Sequence, residues 1–283
     1  MVLLGMQTFD KTKRGEVFMS VQFVRVFILS LVVAVFFGCA TTPLPGGEKS
    51  EGLPPLRVGI TPDFPPLIFK QGDQVAGIEV ELARMLGEEL GRPVKFVEVK
   101  WDAQIPALLE GRTDIIMSSM TVTRERQVRI AFSEPFLKSG LVAAVRADDL
   151  YKFPNLRSIL DFGDIVGIIP NTTSDTFVKK NMPLAQQHYL SRTRQAVSAL
   201  QQRSIGMFVA DAPTVIWLVS ENESSIAGIW QPLNEEYLAW GVRKDDRDLL
   251  ARVNIALAKF RNDGRLDMVL QRWLPKQYLD KMK

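Results

Sequence analysis

Short apolar segments of strand type alternate with amphipathic helical segments along this chain, and the alternation occurs twice. In the first half, residues 56–60 and 94–99 have the composition of strands, and residues 78–90 carry apolar side chains at helical spacing up to Gly91. Asp102 then stands where it can cap a helix, and "DIIMSS" has the composition of a third strand. This order predicts a parallel sheet with helices packed on it. The apolar residues on both faces of 94–99 predict a strand that is covered on both sides.

The same order returns after residue 160. Its segments are the strands "DIVGII", "QHYL" and "GMFVAD" and the helices "TTSDTFVKK", "RTRQAVSALQQ" and "APTVIWLVS". The tail is helical, with Leu249, Val253, Leu257 and Phe260 on one stripe and a break at Gly264. Two similar halves in one chain predict an α/β protein with two lobes.

The composition argues against several classes of function. Without residues 1–38, which hold four basic and two acidic residues, the chain carries 31 basic and 30 acidic residues, so its charge gives no case for nucleic acid. The single cysteine, Cys39, and the single histidine, His188, are too few for a disulfide within the chain or for a Cys/His zinc site. A Ser-His-Asp triad would depend on His188 alone, and a half-exposed structural histidine is the preferred interpretation of that residue. We therefore expect no metal site, no cofactor and no catalytic residue.

The first residues have the pattern of an export signal. Residues 26–37 are apolar apart from Ser30 and follow Arg25, and a run of this length suits a signal peptide but is too short to span a membrane. The small residue before Cys39 is typical of a lipoprotein signal, although Phe36 stands where a smaller aliphatic residue is usual. The alternative is a plain secretory signal with an incidental cysteine.

We predict a signal peptide over residues 1–38, lipidation of Cys39 and a flexible linker over 39–55, which is rich in Pro and Gly and has no apolar period. Met19 begins a more ordinary signal, so the true start is either Met1 or Met19. This arrangement predicts a protein that is anchored to a membrane surface by lipid without spanning the membrane.

Polar side chains follow the predicted strands at corresponding places in the two halves. Ser118, Ser119 and Thr121 follow the third strand of the first half, and Thr172 and Thr173 follow "DIVGII" in the second. Ligands of open parallel sheets bind beyond the carboxyl ends of the strands, so these groups could face one cleft. The alternative is that the hydroxyls only cap helices and form turns.

One long stretch carries a resemblance to a known family. "WDAQIPALLEGRTDIIMSSMTVTRERQVRIAFSEPFLKSG", together with "LRVGITPDFPPLIF", "GIEVELARMLGEELG", "GIIPNTTSD" and "RNDGRLDMVLQRWLP" in that order, resembles the polar-amino-acid family of bacterial extracellular solute-binding proteins, the receptors of ABC importers. The resemblance covers nearly all of the chain from Leu56 to its end. It implies a two-lobed fold of type II, in which each lobe is a mostly parallel sheet flanked by helices and the ligand lies between the lobes.

The resemblance also implies where the lobes divide. The chain would cross between them near Lys138–Leu141 and Ala239–Gly241. Lobe 1 would hold residues 56–140 plus 240–283, and lobe 2 residues 141–239. Closure of the lobes around the ligand would follow.

The roles of the site residues come from the same resemblance. Arg126 matches the arginine that holds the α-carboxylate of the ligand, a geometry that suits a guanidinium. Thr121 and the backbone of Thr173 match its usual assistants, Ser119 lies near the α-amino group, and Asp211 matches the acid that pairs with it. Ser118 and Thr172 are neighbouring hydroxyls that we include in the site. Taken singly, Arg126 is an ordinary surface residue and Asp211, Thr172 and Thr173 are ordinary helix caps.

The resemblance places five uncharged residues around the ligand side chain. Phe64 and Trp101 match the two aromatic positions that flank it, with ordinary packing as the alternative. Thr61, Ile169 and Ala210 complete the pocket, and in some members charged or polar selectivity residues stand at such positions. We therefore predict an α-amino acid with an uncharged side chain.

The predicted function is that of an amino-acid receptor at the periplasmic or cell-surface side of a membrane, acting as a monomer and delivering its ligand to an ABC permease. The first alternative is an enzyme like the cyclohexadienyl or arogenate dehydratases, which share this fold and need a glutamate as general acid near the place of Asp211. The second is a ligand-sensing lipoprotein. Sensors and wall enzymes of this kind carry further segments after the binding unit, and this chain ends at Lys283, just past "WLP".

Overall fold

The computed structural model describes residues 53–282, with side chains to residue 280. The predictions for the signal peptide, Cys39 and most of the linker lie outside the described residues. Within the part of the chain that is described, no helix is both long enough and apolar enough to cross a membrane.

The strands are named in chain order as β1 (Leu56–Ile60), β2 (Asp63–Phe64), β3 (Ile68–Gln71), β4 (Gln74–Ala76), β5 (Val94–Glu98), β6 (Ile115–Ile116), β7 (Ala131–Phe132), β8 (Leu137–Ser139), β9 (Leu141–Arg146), β10 (Ile165–Ile168), β11 (Gln186–Tyr189), β12 (Met207–Asp211), β13 (Ile226–Ile229), β14 (Glu236–Leu238) and β15 (Gly241–Val242). The α-helices are α1 (Ile78–Leu90), α2 (Gln104–Leu109), α3 (Arg124–Arg129), α4 (Leu156–Leu160), α5 (Thr173–Asn181), α6 (Gln195–Gln201), α7 (Ala212–Ser220), α8 (Arg247–Asn262), α9 (Arg265–Trp273) and α10 (Lys276–Met282).

Two five-stranded sheets with the same arrangement form the framework. The first has the order β5-β1-β6-β15-β7, and the second has the order β11-β10-β12-β9-β13. In the first sheet, β1 is parallel to β5 and β6, and β15 is antiparallel to β6 and β7. In the second, β10 is parallel to β11 and β12, and β9 is antiparallel to β12 and β13. We call the parts of the chain around these sheets lobe 1 and lobe 2.

The strand pair β8–β14 is separate from both large sheets. It is a two-stranded antiparallel ladder in which Glu236 is opposite Ser139 and Leu238 is opposite Leu137. Strand β9 follows β8, and strand β15 follows β14, in each case after a gap of at most two residues. Both β9 and β15 belong to the large sheets. The ladder therefore lies where the chain passes between the lobes.

An aromatic cluster also joins the lobes. The ring of Trp217, on α7 of lobe 2, lies 5.3 Å from that of Phe69 and 6.0 Å from that of Trp273, both in lobe 1. The guanidinium of Arg194, from lobe 2, lies over the Phe69 ring at 5.8 Å. Aromatic and cation–π contacts of this kind add to the burial of apolar area.

The helices bury the stripes that their spacing predicts. In α1 the buried residues include Leu82, Leu86 and Leu90, and the helix ends at Gly91, whose φ of 66° is the left-handed conformation of a glycine cap. In α8 the predicted stripe is buried, and the helix is followed by a second left-handed glycine, Gly264. These amphipathic faces pack α1, α8 and α9 against one another in lobe 1.

Three local predictions are wrong. The strand β5 is an edge strand whose residues are all partly or fully exposed, because it has a neighbour, β1, on one side only. Asp102 does not cap a helix, because it lies inside a 3-10 turn (Trp101–Ala103), and α2 begins at Gln104 without a side-chain cap. His188 is exposed on β11, more so than the half-exposed position that we expected.

Candidate functional site

The loop after β6 brings three of the predicted hydroxyl groups together, all of them buried. Ser118 Oγ accepts the backbone N–H of Thr61 at 2.7 Å. Ser119 has a φ of 57°, a left-handed conformation that is uncommon for a residue with a side chain. Its backbone N–H donates to Glu79 Oε2 at 2.5 Å, and its own hydroxyl has no partner among the described residues. Buried Glu79 therefore fixes the turn in which Ser119 lies.

Arg126 follows this loop on α3, where the Thr123 hydroxyl caps the helix by accepting the Arg126 backbone N–H. The half-buried guanidinium donates from Nη1 to the carbonyl of Thr121 at 2.8 Å and lies 5.1 Å from the ring centroid of Trp101. No carboxylate of the described residues lies within 4.0 Å of it. Burial lowers the pKa of Arg126, and the charges of Asp211 and Glu236 oppose that shift. The forked end of the guanidinium thus keeps donors that suit a carboxylate.

Asp211 ends β12 in lobe 2 and precedes α7. It occupies the cap position of that helix, yet its side chain makes no capping hydrogen bond, so the capping alternative does not account for it. Its Oδ1 atom is enclosed and has no donor among the described residues. Burial and the neighbouring Glu236 raise the pKa of Asp211 well above its usual range, and Arg126 opposes this shift. An enclosed carboxyl oxygen without a donor is costly unless a cation or a proton accompanies it.

Glu236 on β14 lies beside Asp211, and the sequence does not predict a role for it. It is buried, and its Oε2 atom accepts the hydroxyls of Thr121 at 3.0 Å and Thr173 at 3.2 Å. Its Oε1 atom accepts the side-chain amide of Asn234 at 2.9 Å. The alternation of inward and outward side chains along a strand could have indicated this position. Leu238 is buried two residues later, so Glu236 lies on the same inward face of β14.

The two threonines at the start of α5 differ in what they do. Thr172 is the cap of the helix: its hydroxyl donates to the Ile169 carbonyl at 2.7 Å and accepts the Asp175 N–H at 3.4 Å. Capping therefore accounts for Thr172 without a ligand. The Thr173 hydroxyl instead donates to Glu236. A residue of lobe 2 therefore contacts the same carboxylate as Thr121 of lobe 1.

The predicted side-chain pocket forms part of a cleft of about 950 Å³ between the lobes. Thr61, Phe64, Trp101 and Ile169 all line it. Phe64 and Trp101 pack edge to face with ring centroids 5.3 Å apart, so in this structure they contact each other and do not flank a gap. The Thr61 hydroxyl makes its hydrogen bonds within lobe 1. It donates to the Val99 carbonyl and accepts from a side-chain amide on α2.

Charged residues also line this cleft, which the prediction of an uncharged pocket did not include. Asp63 Oδ2 accepts the backbone N–H of Thr193 from lobe 2 at 3.0 Å. Burial raises the pKa of Asp63, and the Thr193 bond and the charges of Arg192 and Arg194 oppose the shift. Trp101 connects the cleft with the deeper residues, because it lines the cleft while its ring lies against Arg126. Its Nε1 atom donates to a carbonyl of lobe 2 at 2.9 Å.

The part of the chain that the structure describes holds no group of three or more His, Cys, Asp or Glu side chains arranged to bind a metal ion. The deeper part of the candidate site brings together one guanidinium, two carboxyl groups and several hydroxyls. Such a set can hold a small molecule that carries both an anionic and a cationic group.

Comparisons with known proteins identify the family of the chain. Residues 56–276 match the family model of the bacterial extracellular solute-binding proteins, family 3. The L-cystine-binding protein TcyJ of Escherichia coli K12 is 26% identical over 228 residues, which cover 77% of this chain and 82% of the relative. The histidine-binding periplasmic protein of the same strain is 27% identical over 272 residues, covering 89% and 96%.

Solved structures show the same fold. A binding component of an ABC transporter from Wolinella succinogenes, described as complexed with lysine, superposes with a TM-score of 0.74 at 28% identity and covers 80% of this chain and 98% of its own. The ancestral amino acid-binding protein AncCDT-1, described as a precursor of cyclohexadienyl dehydratase, has a TM-score of 0.72 at 30% identity and covers 77% and 94%. The fold is thus the two-lobed, type II fold of periplasmic amino-acid-binding proteins, and the chain belongs to family 3 of the bacterial extracellular solute-binding proteins.

Proposed function

We propose that this protein is an extracytoplasmic receptor for a free α-amino acid with an uncharged side chain, and that it closes around this ligand and delivers it to an ABC permease. The observation that carries the proposal is the complementary pair formed by Arg126 of lobe 1 and Asp211 of lobe 2. Among the residues that the structure describes, the first is a half-buried guanidinium without a carboxylate partner, and the second has an enclosed oxygen without a donor. A zwitterion between them would satisfy both.

The remaining site residues take subordinate roles in this proposal. Backbone and hydroxyl groups of Thr121 and Thr173 would assist Arg126 at the carboxylate, and Ser119 would accept from the ammonium group. We take lobe 1 as residues 56–140 plus 240–283 and lobe 2 as residues 141–239, with the β8–β14 ladder at the crossings. Micromolar affinity, about −8 kcal/mol, would suit such a receptor.

A thermal-shift screen of the standard amino acids tests the proposal. A ligand at about a hundredfold excess over its Kd should stabilise the protein by about 2.7 kcal/mol. Arg126→Ala should abolish this response, whereas Arg129→Ala, an exposed position on the same helix, should preserve it. An unchanged shift in Arg126→Ala would remove the guanidinium from the mechanism, and a best response to arginine or glutamate would refute the uncharged side chain.

We also propose that the protein is a monomeric lipoprotein, anchored through Cys39 at the periplasmic or cell-surface side of a membrane. The support is the signal-like sequence before Cys39. Metabolic labelling with a fatty acid tests this. The wild-type protein should take up label and remain in the membrane fraction, and Cys39→Ala should do neither.

A second candidate function, dehydration of prephenate or arogenate, has one observation in its favour. The carboxyls of partly buried Asp211 and buried Glu236 lie side by side, and a carboxyl with a raised pKa, here that of Asp211, can deliver a proton to a leaving hydroxyl. Protonation of that hydroxyl would release water and carbon dioxide as the ring becomes aromatic. Ultraviolet absorbance during incubation with prephenate tests this, because turnover that disappears in Asp211→Asn would favour the enzyme over the receptor.

A further inference from the structure

The Glu236 carboxylate contacts three separate segments of the chain. Its Oε2 atom accepts from Thr121, which follows β6 in lobe 1, and from Thr173, which begins α5 in lobe 2. Its Oε1 atom accepts from Asn234, two residues earlier. Glu236 itself belongs to β14, in the ladder where the chain passes between the lobes. One side chain therefore joins lobe 1, lobe 2 and the crossing.

The hydrogen bonds of Glu236 distinguish it from its neighbour Asp211. Three donors of the protein satisfy Glu236, whereas the Oδ1 atom of Asp211 has none among the described residues. Buried carboxylates need donors, and hydrogen bonds to an ionised group are stronger than those between neutral groups. Glu236 is thus bound by the protein, while Asp211 keeps an oxygen for another partner.

We propose that Glu236 is a positioning residue that ties Thr121 of lobe 1 to Thr173 of lobe 2. The inference deepens the proposed function and rests on it, because the same threonines assist Arg126 there. Both hydroxyls reach a single oxygen atom, and they come from different lobes. Separation of the lobes must break at least one of these bonds, so the protein favours closure through its own carboxylate.

This role has two consequences that can be measured. Loss of the tie should shift the ligand-free protein toward open forms, and it should weaken amino-acid binding because the threonines are no longer held. A variant at Thr173 is the cleaner perturbation, because Glu236→Ala leaves several donors unpaired. Thr173→Val removes only the hydroxyl and keeps the backbone N–H, whereas Thr173→Ser keeps both.

The distance between the lobes can be measured by electron–electron double resonance on the full chain. Spin labels would be attached at Arg84→Cys on α1 and Lys180→Cys on α5, both exposed, in a Cys39→Ser background. Thr176→Val is the matched control, since Thr176 is exposed on α5 and its hydroxyl donates to the carbonyl of Thr172, the cap residue of that helix. We expect Thr173→Val to lower the ratio of closed to open forms about tenfold, with Thr173→Ser and Thr176→Val like the wild type.

The outcomes separate this proposal from the proposed function. Identical distance distributions for Thr173→Val and Thr176→Val, both with wild-type melting temperatures, would overturn the tie. If Thr173→Val unfolds, Glu236→Gln replaces it, and unchanged distances there would overturn the tie equally. If no standard amino acid shifts the melting temperature of the wild type while Thr173→Val still opens the lobes, the receptor proposal fails and the tie stands.

Discussion

Glu79 should make the free energy of unfolding depend on pH, and replacement by Gln should remove most of that dependence. Glu79 lies in the first turn of α1 with 1% of its surface exposed. Burial raises the pKa of its carboxyl from 4.5 to about 8, and the N–H of Ser119 and the indole of Trp240 oppose that shift. The native protein therefore holds a proton on Glu79 at neutral pH, while the unfolded chain does not.

The sign and size of the effect follow from that difference. The native state binds more protons than the unfolded state between pH 4.5 and about 8, so the stability that Glu79 contributes is complete below pH 4.5 and is lost as the pH rises through 8. Each pH unit is worth about 1.4 kcal/mol, so the whole window amounts to at most about 5 kcal/mol. Glutamine keeps a carbonyl oxygen for the Ser119 N–H and has no proton to lose.

Urea unfolding of the wild type and Glu79→Gln at a series of pH values measures this. The difference in the free energy of unfolding, wild type minus variant, should fall steadily as the pH rises through this window and then level off. Glu81→Gln serves as the control, because Glu81 lies on the same turn but is partly exposed. Parallel curves for the wild type and Glu79→Gln would refute the assignment of the proton to Glu79.

Three further predictions concern affinity and stability. The affinity for the amino acid should fall as the pH drops, because the raised pKa of Asp211 lets it take up a proton that excludes the ammonium group; Asp211→Asn should bind weakly at every pH in calorimetry. Asp114→Ala should destabilise lobe 1 by about 3–5 kcal/mol in urea unfolding, since Asp114 is buried and receives three hydrogen bonds from Arg57. Gly77→Ala should lower the melting temperature far more than Gly72→Ala, because a Cβ at residue 77 would lie 2.6 Å from two backbone oxygens and one at residue 72 meets nothing within 4 Å.

Each of these has a contradicting result. A pH-independent Kd in the wild type would mean that Asp211 does not titrate in the binding range. If Asp114→Ala lowers the free energy of unfolding by less than about 1 kcal/mol, the ion pairs of Asp114 stabilise the protein no more than ordinary surface ion pairs do. Equal melting temperatures for Gly77→Ala and Gly72→Ala would show that the backbone near residue 77 moves aside.

The helices and most strands could be predicted because each carries its own local signal. The apolar stripe of α8 and the glycine that ends α1 can be recognised in the sequence, because periodicity and caps depend on neighbouring residues only. The edge position of β5 could not be predicted in this way. Its apolar residues resemble those of a covered strand, and only the order of strands in the sheet exposes them.

The sequence indicates the candidate site residues that follow strands, but not those at the crossing between the lobes. Arg126 and Asp211, which the family resemblance indicates, lie near enough for each to affect the pKa of the other. Glu236 is separated from Thr121 by 115 residues, and no local pattern indicates that the two touch. The sequence indicates Glu79 only as part of a helix, because its contact with Ser119 spans 40 residues.

The packing of Trp217 from one lobe against Phe69 and Trp273 of the other gives the protein an intrinsic optical probe. Indole emission depends on the polarity around the ring and on nearby aromatic groups. If the halves of the molecule move apart, Trp217 loses two aromatic neighbours at once and gains water. The movement of the unlabelled protein can therefore be followed by fluorescence in a stopped-flow instrument, with Trp217→Phe identifying its share of the signal.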